Sequence, residues 1–271
     1  MKKVFLIIIL FFSSSLFLLG HEFWLHPDKF IFKTGEPIKI KFLVGENFEG
    51  ENWSGNNQSI KSLQLLFPSA SDDLADRIGV APGDSLQFSI YEEGTFLLTY
   101  NSTNKFIELE PKKFHEYLTE DGLNNAIDYR ATHNENDSFG REYYQRSVKT
   151  IFQVGDKKTN LFKKQTNLPL DIILMQNPYD LKNEDTSVNM VAAKIFFQKK
   201  PLVNQKIIVW HRLKGRTIKE EYRSNDLGQI SFPVIPTGRW MISTVKMERI
   251  ANDPKVQWQS YWGSCTWGYE E

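Results

Sequence analysis

A histidine that directly follows an export-type leader can hold a metal ion with two of its own nitrogens. Here Lys2-Lys3 and the apolar run Val4 to Leu19 lead through Gly20 into His21-Glu22-Phe23-Trp24-Leu25-His26-Pro27. A cut after Gly20 gives His21 a free α-amine beside its imidazole. Together these form a chelate that loses less entropy than two separate ligands, and imidazole suits nickel, copper and zinc. Further donors are needed, and Glu22 and His26 are nearest in sequence. In an extended strand Glu22, Trp24 and His26 share one face while His21, Phe23 and Leu25 share the other. His26 therefore joins His21 only if the backbone bends, which Pro27 allows. The candidate metal set is His21, His26 and Glu22. The competing reading is an edge strand with Phe23 and Leu25 packed inward and a merely solvated histidine.

Two lysines, an apolar core and a small residue before a polar one match a secretory signal over residues 1–20. Val4 to Leu19 is sixteen residues, fewer than the roughly 20 a membrane-crossing helix needs. Cleavage is therefore expected, with the mature chain periplasmic or secreted and not stably inserted in a membrane. Ser13 and Ser15 offer an alternative cut after Ser15, which would remove the chelate. No cysteine stands near the cut, which excludes a lipid-modified N-terminus of the lipoprotein kind.

Other chemistry finds little support. Lys plus Arg and Asp plus Glu number 33 each, so no global field favours nucleic acid or an anionic surface. The single cysteine, Cys265, forbids an intrachain disulfide and reads as a small apolar residue of a terminal strand. His115-Glu116 and His133, near Glu135 and Asp137, could donate to a metal but read as a solvated helix face and a polar loop. His211 shares a strand face with Ile207 and Val209 and reads as a rim residue. No P-loop, nucleophile elbow or His-Glu-x-x-His pair occurs. No carboxylate pair can be matched across a cleft from sequence, so no enzyme is expected. Trp258, Tyr261, Trp262 and Trp267 could stack on sugars but more often serve as core.

The elements that must position these residues are mainly strands. Ile38-Lys39-Ile40-Lys41-Phe42 alternates after the turn at Thr34-Gly35-Glu36-Pro37, and Ser62–Phe67, Ser85–Tyr91 and Gly94–Tyr100 are further strand candidates. From Pro111 to about Arg146, apolar residues recur at helical intervals, with Pro111 suited to a first turn and Gly122 to a stop. The spacing predicts a helical insertion over about 111–146. Val148–Val154 reads as a strand, and 156–167 as a polar linker. Strands resume at Leu170–Met175, Val188–Phe197, Gln205–Trp210, Ile218–Tyr222, Ile230–Phe232, Trp240–Val245 and Trp258–Thr266. The expected architecture is two antiparallel β-sandwich domains, immunoglobulin-like or transthyretin-like, over 21–155 and 168–271, with the helical insertion near the end of the first.

Several motifs in order carry a further likeness: His21-Glu22-Phe23-Trp24-Leu25; Val44-Gly45-Glu46 with Phe48-Glu49-Gly50; Phe106-Ile107-Glu108-Leu109 leading to Lys113-Phe114, Tyr117-Leu118 and Gly122-Leu123; Arg141-Glu142-x-Tyr144-x-Arg146-x-x-Lys149; Gly238-Arg239-Trp240; and Trp258-x-Ser260-Tyr261-Trp262. In these the chain resembles an exported bacterial family that is otherwise a domain of unknown function and is described as a periplasmic component of cobalt or nickel uptake. The resemblance spans most of the mature chain. It implies two sandwiches with a helical insertion, and the binding or relay of a divalent transition metal outside the cytoplasm. One departure stands out: Lys246-Met247 follows the Gly-Arg-Trp strand where a histidine is expected, and a protonated lysine is no ligand.

The expected function is an exported, non-catalytic protein that binds or relays nickel or cobalt, or copper, through His21. Its partner would be a membrane metal-uptake system. A different class is an interaction module whose rims bind a protein or glycan. A third is a copper oxidase with a histidine brace, which needs a second histidine facing His21.

Overall fold

The computed structural model describes residues 21–81, 83, 85–182 and 188–269; the leader expected at 1–20 lies outside them. The alternation read from the sequence becomes a mainly β fold of three sheets with two helices among the described residues. The central sheet has ten strands. Its path runs from Arg216–Arg223 through Lys206–Leu213, Arg239–Arg249, Trp258–Gly268, Gly140–Val154, Gly94–Ser102 and Ile60–Leu66 to Ser71–Asp73. One small sheet is built around Glu22–Pro27 and Pro37–Glu46, the other around Leu170–Leu174 and Asn189–Phe197.

Period-two alternation decides which core each side chain enters. On Gly140–Val154, Val148, Phe152 and Val154 pack with Phe23, Leu25 and Phe42 of the first small sheet. Ile151, pointing the other way, joins Ile172, Ile195 and Phe232 of the second. The two cores thus lie on opposite faces of one shared sheet. Its halves are joined by a parallel pairing, from Glu142 opposite Trp258 to Thr150 opposite Thr266, where only antiparallel neighbours were expected. The division between 21–155 and 168–271 therefore cuts through a continuous hydrogen-bonded sheet. Within 156–167, Leu161 is buried in the first core and Phe162 in the second, so this stretch carries the chain from one face of the sheet to the other.

The expected helical insertion needs a correction at its end. Helix α1 spans Pro111–Glu120 and α2 spans Asn124–Thr132, whereas 140–146 already belongs to the strand Gly140–Val154. Charged and aromatic residues between 140 and 146 hide the period of two, and two ladders impose it, one to Lys105–Leu109 and one to Trp258–Gly268. Between the helices, Gly122 has φ +66°. Gly122 N–H donates to Thr119 O at 3.2 Å and Leu123 N–H to Leu118 O at 2.8 Å, the paired bonds of a Schellman stop that a left-handed glycine permits.

The helix pair is seated on the sheet through Phe114, Leu118, Met247 and Trp258. Phe114 lies directly over Gly140, where a Cβ would come 2.1 Å from its ring. Gly140→Ala is expected to cost about 1–3 kcal/mol through overpacking. A urea unfolding midpoint equal to that of the parent would disprove this seating of α1.

Candidate functional site

Each predicted ligand has a definite place. The strand Glu22–Pro27 pairs with Pro37–Glu46 without interruption, from Glu22 opposite Gly45 to Pro27 opposite Ile40. That register sets His21 beside Glu46, and His21 Nε2 lies 2.6 Å from Glu46 Oε1. Glu46 is held by a two-residue hairpin in which Asn47 and Phe48 both take positive φ, 53° and 56°, before the chain returns as Glu49–Asn52. Left-handed turns of this kind match the twist of the flanking strands. A phenylalanine there is unusual; its ring meets Trp24 edge-on at 5.3 Å, which holds it in place.

The hairpin explains the motif Val44-Gly45-Glu46 with Phe48-Glu49-Gly50. Gly45 and Gly50 stand opposite each other, and a Cβ on Gly50 would fall 2.5 Å from the Trp24 indole. Trp24 is buried with Ile208, Trp210 and Met241 of the central sheet. Bare backbone at Gly50 lets the indole lie between the small sheet and the large one.

A carboxylate at hydrogen-bond distance from Nε2 calls for the proton on that nitrogen, leaving the Nδ1 lone pair uncommitted. Nδ1 is buried and has no hydrogen-bond partner. This is the nitrogen that closes a ring with the α-amine of the same residue, and a carboxylate behind a ligating histidine is the usual way to fix its tautomer.

Neither helper residue joins it. His26 lies on the opposite face at the far end of the strand, about 16 Å along at roughly 3.3 Å per residue. The uninterrupted pairing shows that the bend needed to bring it round does not occur. Its Nε2 sits 3.1 Å from an Arg239 guanidinium nitrogen and accepts that donor. Burial, then the Arg239 charge, push its pKa down to about 4, so it is a neutral acceptor already in use.

Glu22 also points away from the His21 imidazole. It lines a cleft of about 340 Å³ with Glu46, Asp121, Lys206 and Lys219. Burial is the main cause that pushes its carboxyl up to about 7. Asp121, at the end of α1, is pushed up to about 8, again chiefly by burial and then by Glu22. Its Oδ2 has no hydrogen-bond partner.

The remaining histidines are committed elsewhere or lie on the surface. His211 stacks on Trp240 at 4.1 Å and bonds to Thr237 O at 3.0 Å. His133 stacks on Tyr129 at 3.8 Å, and His115 is exposed on α1. Cys265 is fully buried and its thiol is pushed up to about 12 by burial, as befits a core residue. Trp258 and Trp267 are buried and Trp262 stacks on Tyr117 at 5.7 Å, so the terminal aromatics serve packing. Among the described residues, no three His, Cys, Asp or Glu side chains converge as a metal cage. An ion at His21 would rest on that residue's own two nitrogens. Along the chain Glu46 is one residue of a motif with no evident role; only strand register reveals that it stands behind His21.

Comparison with solved structures returns distant likenesses. The D0-D1 domain of Intimin aligns at 10% identity over 89% of this chain and 96% of its own, with a TM-score of 0.22. Dimeric latent PorU from Porphyromonas gingivalis aligns at 11% over 90% of this chain and 20% of its own, with a TM-score of 0.22. Escherichia coli alpha-2-macroglobulin activated by porcine elastase aligns at 8% over 92% of this chain and 20% of its own, with a TM-score of 0.21. No curated protein matches the chain. The family model described as Domain of unknown function (DUF4198) matches residues 18–248, and the chain belongs to that family.

Proposed function

We propose that this protein, processed between Gly20 and His21, binds a divalent transition metal ion through the His21 α-amine and Nδ1. It would pass the ion to a membrane uptake system outside the cytoplasm. The observation that supports this is the His21 Nε2 contact to Glu46 at 2.6 Å, with Nδ1 left unpartnered. Two nitrogen donors, one of them imidazole, favour nickel, cobalt or copper over calcium or magnesium. The likeness of its motifs to a cobalt and nickel uptake component points the same way. Few protein donors and a position at the end of a strand suit an ion that must be handed on, and no catalytic role is assigned. Among the described residues no helix is long and apolar enough to cross a membrane.

The test compares nickel binding by protein beginning at His21 with the same protein carrying an acetylated His21 α-amine. The acetylated form is expected to bind at least about 100-fold more weakly, because an amide nitrogen replaces the amine. Glu46→Gln in the processed form is expected to weaken binding about 10–100-fold by releasing the imidazole. Equal nickel affinity with and without the acetyl group would remove the proposed site.

A further inference from the structure

At the mouth of the first core two cations stand together without a counter-ion. Tyr144 and Arg146 lie on the face of Gly140–Val154 that continues from Val148, and Lys105 is paired opposite Tyr144. The Arg146 guanidinium rests over the Phe23 ring at 4.6 Å and the Tyr144 ring at 5.4 Å. Lys105 Nζ sits over Trp53 at 5.8 Å. Phe23 and Trp53 touch edge to face at 5.7 Å and both touch Tyr100, so both cations stand on one aromatic floor.

Three other partly or fully buried cations each have a carboxylate partner. Lys149 has Asp171, Arg249 has Glu135 and Arg212 has Glu49. Arg146 and Lys105 have neither an ion pair nor a side-chain hydrogen bond among the described residues. Burial pulls both below their ordinary values, and the Arg146 charge adds to the effect on Lys105. A partly desolvated guanidinium beside a second positive charge is costly unless an anion sits with it. The rings lie within cation–π range of the guanidinium carbon, and its N–H edge has no hydrogen-bond partner among the described residues. That edge is the part of an arginine that recognises planar oxyanions.

We propose that Arg146 and Lys105 form a binding site for a small oxyanion, a carboxylate or a phosphate, at the mouth of the first core. The Arg146 edge supplies directional N–H bonds, the Lys105 ammonium supplies charge, and the aromatic floor excludes water beneath. The site needs no metal to fill.

Calorimetric titration of the processed, metal-free chain at low ionic strength with citrate, and separately with inorganic phosphate, tests it. One saturable event per chain is expected with at least one of the two, and which one binds names the class. Arg146→Met, which keeps the apolar stem over Phe23, is expected to weaken that binding by about tenfold or more, equivalent to about 1.4 kcal/mol. Arg146→Lys is expected to recover only part, because charge returns without the fork. Thermal unfolding without anion separates the alternatives: the Arg146→Met variant should melt no lower than the parent if its charge is uncompensated. Absence of saturable binding with both anions, or binding unchanged in Arg146→Met and Lys105→Met, overturns the proposal. A lowered melting point of Arg146→Met together with a flat titration would show a structural cation–π contact only.

Discussion

Lys149→Ala is expected to cost about 3–5 kcal/mol, because it leaves a buried carboxylate without its counter-ion. Lys149 and Asp171 are 1% and 3% exposed and form an ion pair across the interface between the central sheet and the second small sheet. Lys149 Nζ also donates to Ile172 O at 3.1 Å, and Asp171 Oδ2 accepts Thr166 N–H at 2.7 Å. The pair is therefore tied to two backbone segments of the second small sheet and its approach. Each strand could slide against apolar neighbours at modest cost, but not with an ammonium that must find one carboxylate. The double variant Lys149→Met with Asp171→Leu is expected to recover most of the loss, since removing both charges avoids the orphan that either single change creates. Urea unfolding of parent, single and double variants gives the coupling directly. A Lys149→Ala midpoint within error of the parent would mean that the pair is solvated in solution.

Glu142→Gln should flatten the pH dependence of stability over a defined window. Glu142 is buried beneath α1. It accepts Ser260 Oγ–H at 3.0 Å and Tyr117 O–H at 3.3 Å, and Trp262 Nε1–H donates to the same serine at 3.0 Å. Burial is the main cause that pushes its carboxyl up from 4.5 to about 8. The folded protein thus holds a proton that the unfolded chain has given up at neutral pH. Its contribution is whole below about pH 4.5, falls by about 1.4 kcal/mol per pH unit above that, and is gone past about pH 8. Glutamine cannot ionise and keeps an acceptor for Ser260 and Tyr117. The variant should match the parent within about 1 kcal/mol near pH 4 and exceed it by a few kcal/mol near pH 9. Asp121 is raised as well, so a shallower fall persists in the variant. Parallel stability curves from pH 4 to pH 9 would mean that Glu142 is ionised in the fold.

Much of this was legible along the chain. Strict alternation at Ile38 to Phe42 names a buried face, because a pleated strand sends successive side chains to opposite sides. Gly122 marks the end of α1 because only a residue tolerant of positive φ closes that stop. Between 140 and 146 the same logic fails. A strand paired on both edges and roofed by a helix buries Glu142 and half-buries Tyr144 and Arg146, so polarity no longer reports which way a residue faces.

The candidate site divides in the same way. His21, and the separation of His21 from Glu22 and His26 onto two faces, follow from residue type and local geometry, which need no partner strand. That Glu46 stands behind the imidazole, that Arg239 occupies His26, and that Arg146 meets Lys105 over Phe23 depend on register between segments far apart in sequence. The shared central sheet is of the same kind. Local periodicity sets which residues point together, but backbone hydrogen bonding between distant strands sets what they point at, and that pairing is chosen only when the whole set of buried faces and charges closes at once.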